Sequence, residues 1–179
     1  LIFIYFNSVA DRMLDTFLNG KESIWTSWLI SLIASLLWFV SLLLHELAHS
    51  FVALGEGAKV QDITLSFFGG VANLEKECST SKGCLKIALS GPITSILLGA
   101  LMIILSNFFS GSSLILSNLL KQVGGLNLLV VLFNLIPILP LDGGVILKSL
   151  IWYFTGSKRI GIKVAIASAR FISFIAFFV

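Results

Sequence analysis

The sequence predicts an all-α polytopic membrane protein: a helical bundle with a small membrane-associated β-hairpin and one helix broken at a Pro-Pro-Asp-Gly motif. Two observations carry the class. Of the 179 residues, 57% are hydrophobic and only 12% charged, where a soluble domain has about 25% charged residues. Three stretches hold no charge at all, Ser23–Leu44, Ile87–Leu120 and Gln122–Leu141; each reaches the roughly 20 residues that a spanning helix needs. The runs are continuously apolar and do not alternate, which selects helices over a barrel. The net charge of +3 comes with no basic tract interleaved with aromatics. Nucleic acid is therefore not an expected partner, and the lipid bilayer is the expected surroundings.

The expected spans cover about 1–6 (partial), 25–53, 87–107, 124–141 and 160–179, in a single domain, 1–179. Leu1–Phe6 reads as the tail of an earlier helix, and with Leu1 in place of a starting Met the chain reads as the trimmed core of a longer protein. Asn7–Glu22 is polar, with Met13, Leu14, Phe17 and Leu18 as an apolar face, and predicts a short interfacial helix. Trp25 and Trp28 mark a membrane interface at the start of a helix that runs to about Ala53. Gly55, Glu56, Gly57 and Lys59 end it. Lys59–Phe68 alternates apolar and polar side chains as a strand does; Gly69-Gly70 turns the backbone and Val71–Leu74 returns. Two readings of this hairpin stand level: a small surface feature, or an edge with which an extended peptide pairs.

Glu75–Lys86 is a charged loop that contains Cys78 and Cys84. Ser90-Gly91-Pro92 opens an apolar helix to about Asn107, and the Gly-Pro pair predicts broken helix hydrogen bonds buried in protein. Ser95 and Gly99 are spaced for close helix packing. Phe108–Ser113 is a turn, Leu114–Leu120 a partial segment, and Gly124–Leu141 the next span. That span ends in Pro137, Pro140, Asp142, Gly143 and Gly144, which cannot continue a regular helix. Val145–Phe154 is a short amphipathic piece, Thr155–Lys163 a basic loop, and Val164–Val179 a final span with Arg170.

Lys59, Lys76, Lys82 and Lys86 in one loop, and Lys148, Lys158, Arg159 and Lys163 in another, outnumber Arg12, Lys21 and Lys121 opposite. The excess places the first two loops in the cytoplasm. A disulfide between Cys78 and Cys84 is one reading; on that side, two free thiols are expected instead.

The chemistry gathers at His45-Glu46-Leu47-Ala48-His49, which holds both histidines of the chain. Four apart, they share one helix face, where two imidazole nitrogens reach one metal ion. Glu46 then stands beside the metal rather than on it, in the position of a general base for a water. The plainer reading is a helix end where His and Glu meet water, but intramembrane ionisable groups need a reason. A catalytic zinc needs a third protein ligand. Asp11, Asp15, Glu22, Glu56, Asp62, Glu75 and Glu77 lie in polar segments; Asp142 alone terminates an apolar run on the same side as the histidines. Its other reading is a cap for the helix that follows.

His45-Glu46-x-x-His49, followed by Asn134-x-x-Pro137-x-x-Pro140-Leu141-Asp142-Gly143, resembles the site-2 protease family of intramembrane zinc metalloproteases. Gly69-Gly70-Val71 and Ser90-Gly91-Pro92 are similar to that family's intervening elements. The resemblance implies one zinc per chain held by His45, His49 and Asp142, with Glu46 as general base and Asn134 on the substrate carbonyl. It implies that a transmembrane segment of a single-span regulatory protein is cut within the bilayer, in regulated intramembrane proteolysis. Gly69 and Gly70, at the turn of the hairpin, are then expected at the substrate. The segment between Asn107 and Lys121 has no room for a PDZ domain, as in the compact bacterial and archaeal branch. Some members of that branch carry a C-terminal regulatory domain, which these residues do not include. Ile93-Thr94-Ser95 stands where many relatives have an asparagine. A regulatory membrane partner or a homo-oligomer is compatible with this reading, and the expected location is a multi-pass protein of a prokaryotic cell membrane with its site nearer the cytoplasmic side. The alternative is a catalytically inactive binder that sequesters single-span partners.

Overall fold

The computed structural model describes residues 1–18, 24–57, 60–64, 71–74 and 78–178. They form six helices, α1 (Ile2–Leu18), α2 (Ile24–Gly55), α3 (Ser81–Phe109), α4 (Leu114–Asn134), α5 (Asp142–Thr155) and α6 (Lys158–Phe178), with strands β1 (Val60–Thr64) and β2 (Val71–Leu74) between α2 and α3. Three of these helices, α2, α3 and α4, are long and apolar enough to cross a membrane. Their outward side chains suit lipid: Leu29, Leu36, Ile104, Leu132 and Phe133 are all more than 50% exposed. By contrast α6, with Lys158, Arg159, Lys163 and Arg170, is not among the candidate spans.

The residues group into two compact units, one of Leu1–Leu43 with Ser95–Leu129 and the other of Leu44–Thr94 with Val130–Val179. In the first, Phe6, Ala34, Leu119 and Val123 form a buried cluster, against which Ile30, Leu37, Trp38 and Met102 pack. Ile2–Phe6 is not separated from the polar residues after it, as expected from sequence, but continuous with them in α1. The polar residues that follow stay helical because their side chains find partners on the same helix. Asn7 donates to Asp11 at 3.0 Å, Ser8 to the Ile4 carbonyl at 3.0 Å and Arg12 to the Ser8 carbonyl at 3.0 Å. The buried stripe is Phe6, Ala10 and Leu14, at i, i+4 and i+8. The split at Lys121 is also corrected, since α4 runs unbroken from Leu114 and ends at Asn134 instead of Leu141. Lys121 faces outward and Gln122 accepts from the Tyr5 hydroxyl at 2.7 Å, so neither polar side chain interrupts the helix.

In the second unit, β1 and β2 pair antiparallel, with Ile63 opposite Ala72 and Thr64 opposite Val71. Gly69 and Gly70 lie outside the described residues. The helix break expected at Gly91-Pro92 is absent: α3 continues through Pro92. On the same turns two hydroxyls donate to helix carbonyls, Ser90 to Ile87 at 2.7 Å and Thr94 to Ser90 at 2.9 Å. Thr80 stands at the N-terminus of α3, its hydroxyl accepting from the Gly83 N–H at 3.0 Å. Cys78 and Cys84 are not free thiols but a disulfide, with Cα atoms 5.3 Å apart. The turn that leads into α3 folds Cys78 back onto the helix's first turn, where Cys84 is buried. Between α4 and α5 the chain unwinds over 135–141, with a cis Leu139–Pro140 bond. α5 then ends in a left-handed Gly156 and packs against α6.

Candidate metal centre

Everything chemically active in the sequence reading that the structure describes lies in the second unit. α2 carries His45 and His49 one turn apart, with their Nε2 atoms 3.2 Å from each other and the rings edge to face at 76°. Asp142 opens α5 and meets both: its Oδ2 lies 3.3 Å from His45 Nε2 and its Oδ1 3.3 Å from His49 Nε2. Asp142 does not cap α5. The N-cap position is Leu141, without a side-chain cap bond, and the aspartate follows as the first helical residue. His45 is 2% exposed, whereas the side chains of His49 and Asp142 keep 15% and 17% of their surface. The group is closed on the His45 side and open on the other.

These three residues could hold a metal ion. A tetrahedral zinc with bonds of about 2.0–2.1 Å has donor–donor edges of roughly 3.3–3.4 Å; the two imidazole nitrogens are 3.2 Å apart, and the carboxylate turns a different oxygen to each of them, at 3.3 Å. The donor chemistry points the same way. The Nδ1 of His49 lies 2.7 Å from the Ile87 carbonyl oxygen, which can only accept, so that nitrogen carries the proton and Nε2 presents a lone pair. With neutral rings oriented in this way, the two Nε2 atoms and the carboxylate offer their lone pairs to one place, which suits a metal ion. Two histidines and one carboxylate, with one side open, form the ligand set of a catalytic rather than a structural zinc site.

The backbone around the group leaves almost no slack. A methyl placed on Gly91 would lie 2.6 Å from His45 Nε2 and closer still to His49 Nε2. A side chain there would displace the ligands, so α3 approaches the histidines through a glycine. Gly143 and Gly144 do the same for Asp142: a methyl on Gly144 would lie 2.5 Å from the Ile138 carbonyl carbon and the Leu139 nitrogen. The first turn of α5 rests directly on the unwound segment, and this closeness aims the aspartate at α2.

Glu46 is half-buried on the turn that carries the histidines. Asn134 is the half-buried last residue of α4, and among the described residues its side chain makes no hydrogen bond. The Ile87 carbonyl, Ser90 and Gly91 were not assigned a role from sequence. The visible signal was Gly91-Pro92 inside an apolar run, but nothing in the pattern showed that it faces the histidines.

The comparisons with known proteins agree with this geometry. Residues 33–122 and 111–179 match peptidase family M50. A Synechocystis protein that bears a zinc-metalloprotease name is 43% identical over 144 residues, covering 78% of this chain and 37% of its own length. A zinc metalloprotease of Methanocaldococcus jannaschii is 40% identical over 126 residues, covering 70% of this chain and 35% of that protein. The solved structure of a site-2 protease from the same organism superposes with a TM-score of 0.55 at 36% identity, over 85% of this chain and 65% of that one. The chain thus spans little more than a third of the length of the curated relatives it matches. Taken with the histidine and aspartate triangle, these matches bear out the resemblance seen in the sequence: the chain belongs to peptidase family M50, the site-2 protease family.

Proposed function

We propose that this chain is the catalytic core of an intramembrane zinc metalloprotease that cuts a single-span membrane protein within or beside its transmembrane segment. The observation that carries the reading is the triangle of His45 Nε2, His49 Nε2 and Asp142 on the open side of the site. One zinc bound there would act as a Lewis acid and bring the pKa of a water toward neutrality.

The chain's own groups do the rest. Glu46 takes the proton of the attacking water and later delivers it to the leaving amine. Asn134, with its amide free among the described residues, donates to the scissile carbonyl oxygen as negative charge develops on it. A helical substrate must first unwind, because helix hydrogen bonds occupy its carbonyls. The β1–β2 pair receives the opened stretch as an added strand through main-chain bonds, and Gly69 and Gly70 are the residues of the intervening sequence proposed to meet it. The lysine and arginine excess on residues 59–86 and 148–163 sets the site toward the cytoplasm of a prokaryotic cell. A regulatory membrane partner or a second copy of the chain would govern access.

The test is cleavage of a single-span substrate by the purified protein in detergent or vesicles, run beside Glu46→Gln and Asn134→Ala. Cleavage by the parent, its loss with retained zinc in Glu46→Gln, and a fall in kcat on the order of 100-fold in Asn134→Ala support the mechanism. Equal turnover by parent and Glu46→Gln would remove Glu46 as the base. A parent that binds zinc and substrate but never cleaves would favour a sequestering binder.

A further inference from the structure

The unwound segment between α4 and α5 must hold Asp142 to within a fraction of an ångström, yet it has few backbone bonds of its own. Pro137 and Pro140 have no N–H to give. The Ile138 N–H goes to the Ile136 carbonyl at 2.7 Å and the Leu141 N–H to the Ile138 carbonyl at 2.8 Å. Among the described residues, no backbone N–H of a turn or cap donates to the Pro137 carbonyl. In a protein surrounded by lipid, such a group needs a partner from elsewhere.

The partner comes from α6. The hydroxyl of Ser168 lies 2.7 Å from the Pro137 carbonyl oxygen, with 31 residues between them in sequence. Its other acceptor is the Ala165 carbonyl of its own helix, at 2.9 Å. That second carbonyl has the helix ladder to serve it; the Pro137 carbonyl does not. The position of Ser168 is itself fixed. Gly161, Ala165 and Ser168 fall on one face of α6 at i, i+4 and i+7, and Gly161 and Ala165 are buried. A methyl on Gly161 would clash with the Lys148 carbonyl oxygen and lie 3.3 Å from the Trp152 nitrogen, so α6 rests on the backbone of α5.

We propose that Ser168 is a positioning residue for the metal centre: by holding the Pro137 carbonyl it fixes the segment that presents Asp142 to His45 and His49. Gly161 and Ala165 set the depth of α6, and Ser168 converts that depth into a hydrogen bond beside the ligand. This proposal rests on the reading of those three residues as the metal site.

The experiment uses the whole purified protein loaded with cobalt(II) in place of zinc, and reads the visible spectrum and the zinc affinity by competition with a chelator. In Ser168→Ala the cobalt bands shift or weaken and zinc affinity falls about tenfold, the lower end of what loss of a supporting hydrogen bond costs a metal site. Ser168→Thr, which keeps the hydroxyl, restores both. Ser173→Ala, which removes an exposed hydroxyl from the same helix, changes neither. Should Ser168→Ala fail to assemble, Ser168→Cys with its weaker donor takes its place, and affinity ordered Ser, Thr, then Cys supports the proposal. Parent-like cobalt bands and zinc affinity in Ser168→Ala, whatever its thermal stability, overturn it and leave the metal site standing. No cobalt bands in the parent either would remove the metal site itself, and this role with it.

Discussion

His49 donates from Nδ1 to the carbonyl oxygen of Ile87 at 2.7 Å, a contact made across 38 residues of sequence. The same carbonyl accepts from the Ser90 hydroxyl at 2.7 Å, and that hydroxyl lies 3.3 Å from His49 Nδ1. One carbonyl on α3 thus decides which ring nitrogen of a residue on α2 faces His45 and Asp142. Because the carbonyl itself survives, Ser90→Ala should weaken zinc binding by no more than about tenfold, the lower end of the range for groups that support a ligand. Chelator competition on the purified variant measures it; a loss of zinc as complete as that of a ligand variant would show that Ser90 does more than share the carbonyl.

Gly91→Ala should do far more damage than its size suggests. The added methyl has the two imidazoles in its place, with His45 Nε2 only 2.6 Å away, so both rings must shift from their present positions. Zinc content should fall to near zero. Gly99→Ala, eight residues along the same helix, meets the flexible end of Leu128 at 3.0 Å and should keep its zinc at some cost in thermal stability. Metal analysis of the two variants side by side tests the contrast.

Asp142→Ala should retain much less than one zinc per chain, since two imidazoles alone do not make a stable site. Equal zinc in variant and parent would take Asp142 out of the centre and leave its two 3.3 Å contacts without a purpose.

Glu46→Gln should behave in the opposite way. On the proposed mechanism the change removes the general base alone, so the metal stays and turnover falls on the order of 100- to 10,000-fold. A substrate-cleavage assay paired with zinc analysis separates this from a folding defect.

Lys86 and Glu56 form an ion pair at 2.7 Å, but the lysine is 65% exposed. Lys86→Ala should therefore change stability by less than about 1 kcal/mol and leave zinc content alone. A thermal melt that dropped steeply would mean that the pair is needed to hold the start of α3 in place.

The three residues that the structure brings together were legible because each belongs to a pattern with a short explanation. His45 and His49 are four apart on a helix, and Asp142 is the acid left over once the polar segments have claimed the others. What sequence could not supply was tertiary satisfaction. Asn7, Asp11 and Arg12 look like a helix boundary until their hydrogen bonds within α1 are seen. Lys121 and Gln122 look like a break in α4 for the same reason, since a polar residue with a partner and one without are written with the same letter. Pro92 reads as an interruption because a proline removes one helix hydrogen bond, and whether the helix continues past it, as α3 does, depends on packing that the sequence does not display. Cys78 and Cys84 were misjudged because compartment, not distance, was the only available argument.

The contact between the first turn of α5 and the segment beneath it has a consequence for redesign. Since Gly143 and Gly144 already press on the backbone of residues 135–139, α5 cannot back away to accept a longer ligand. Asp142→Glu, the mildest change on paper, inserts one more methylene into a distance that the main chain has fixed. Metal preference in this protein is thus open to engineering through the chemistry of the donor at position 142, not through its reach: a ligand of aspartate's length can be exchanged, and a longer one has nowhere to go.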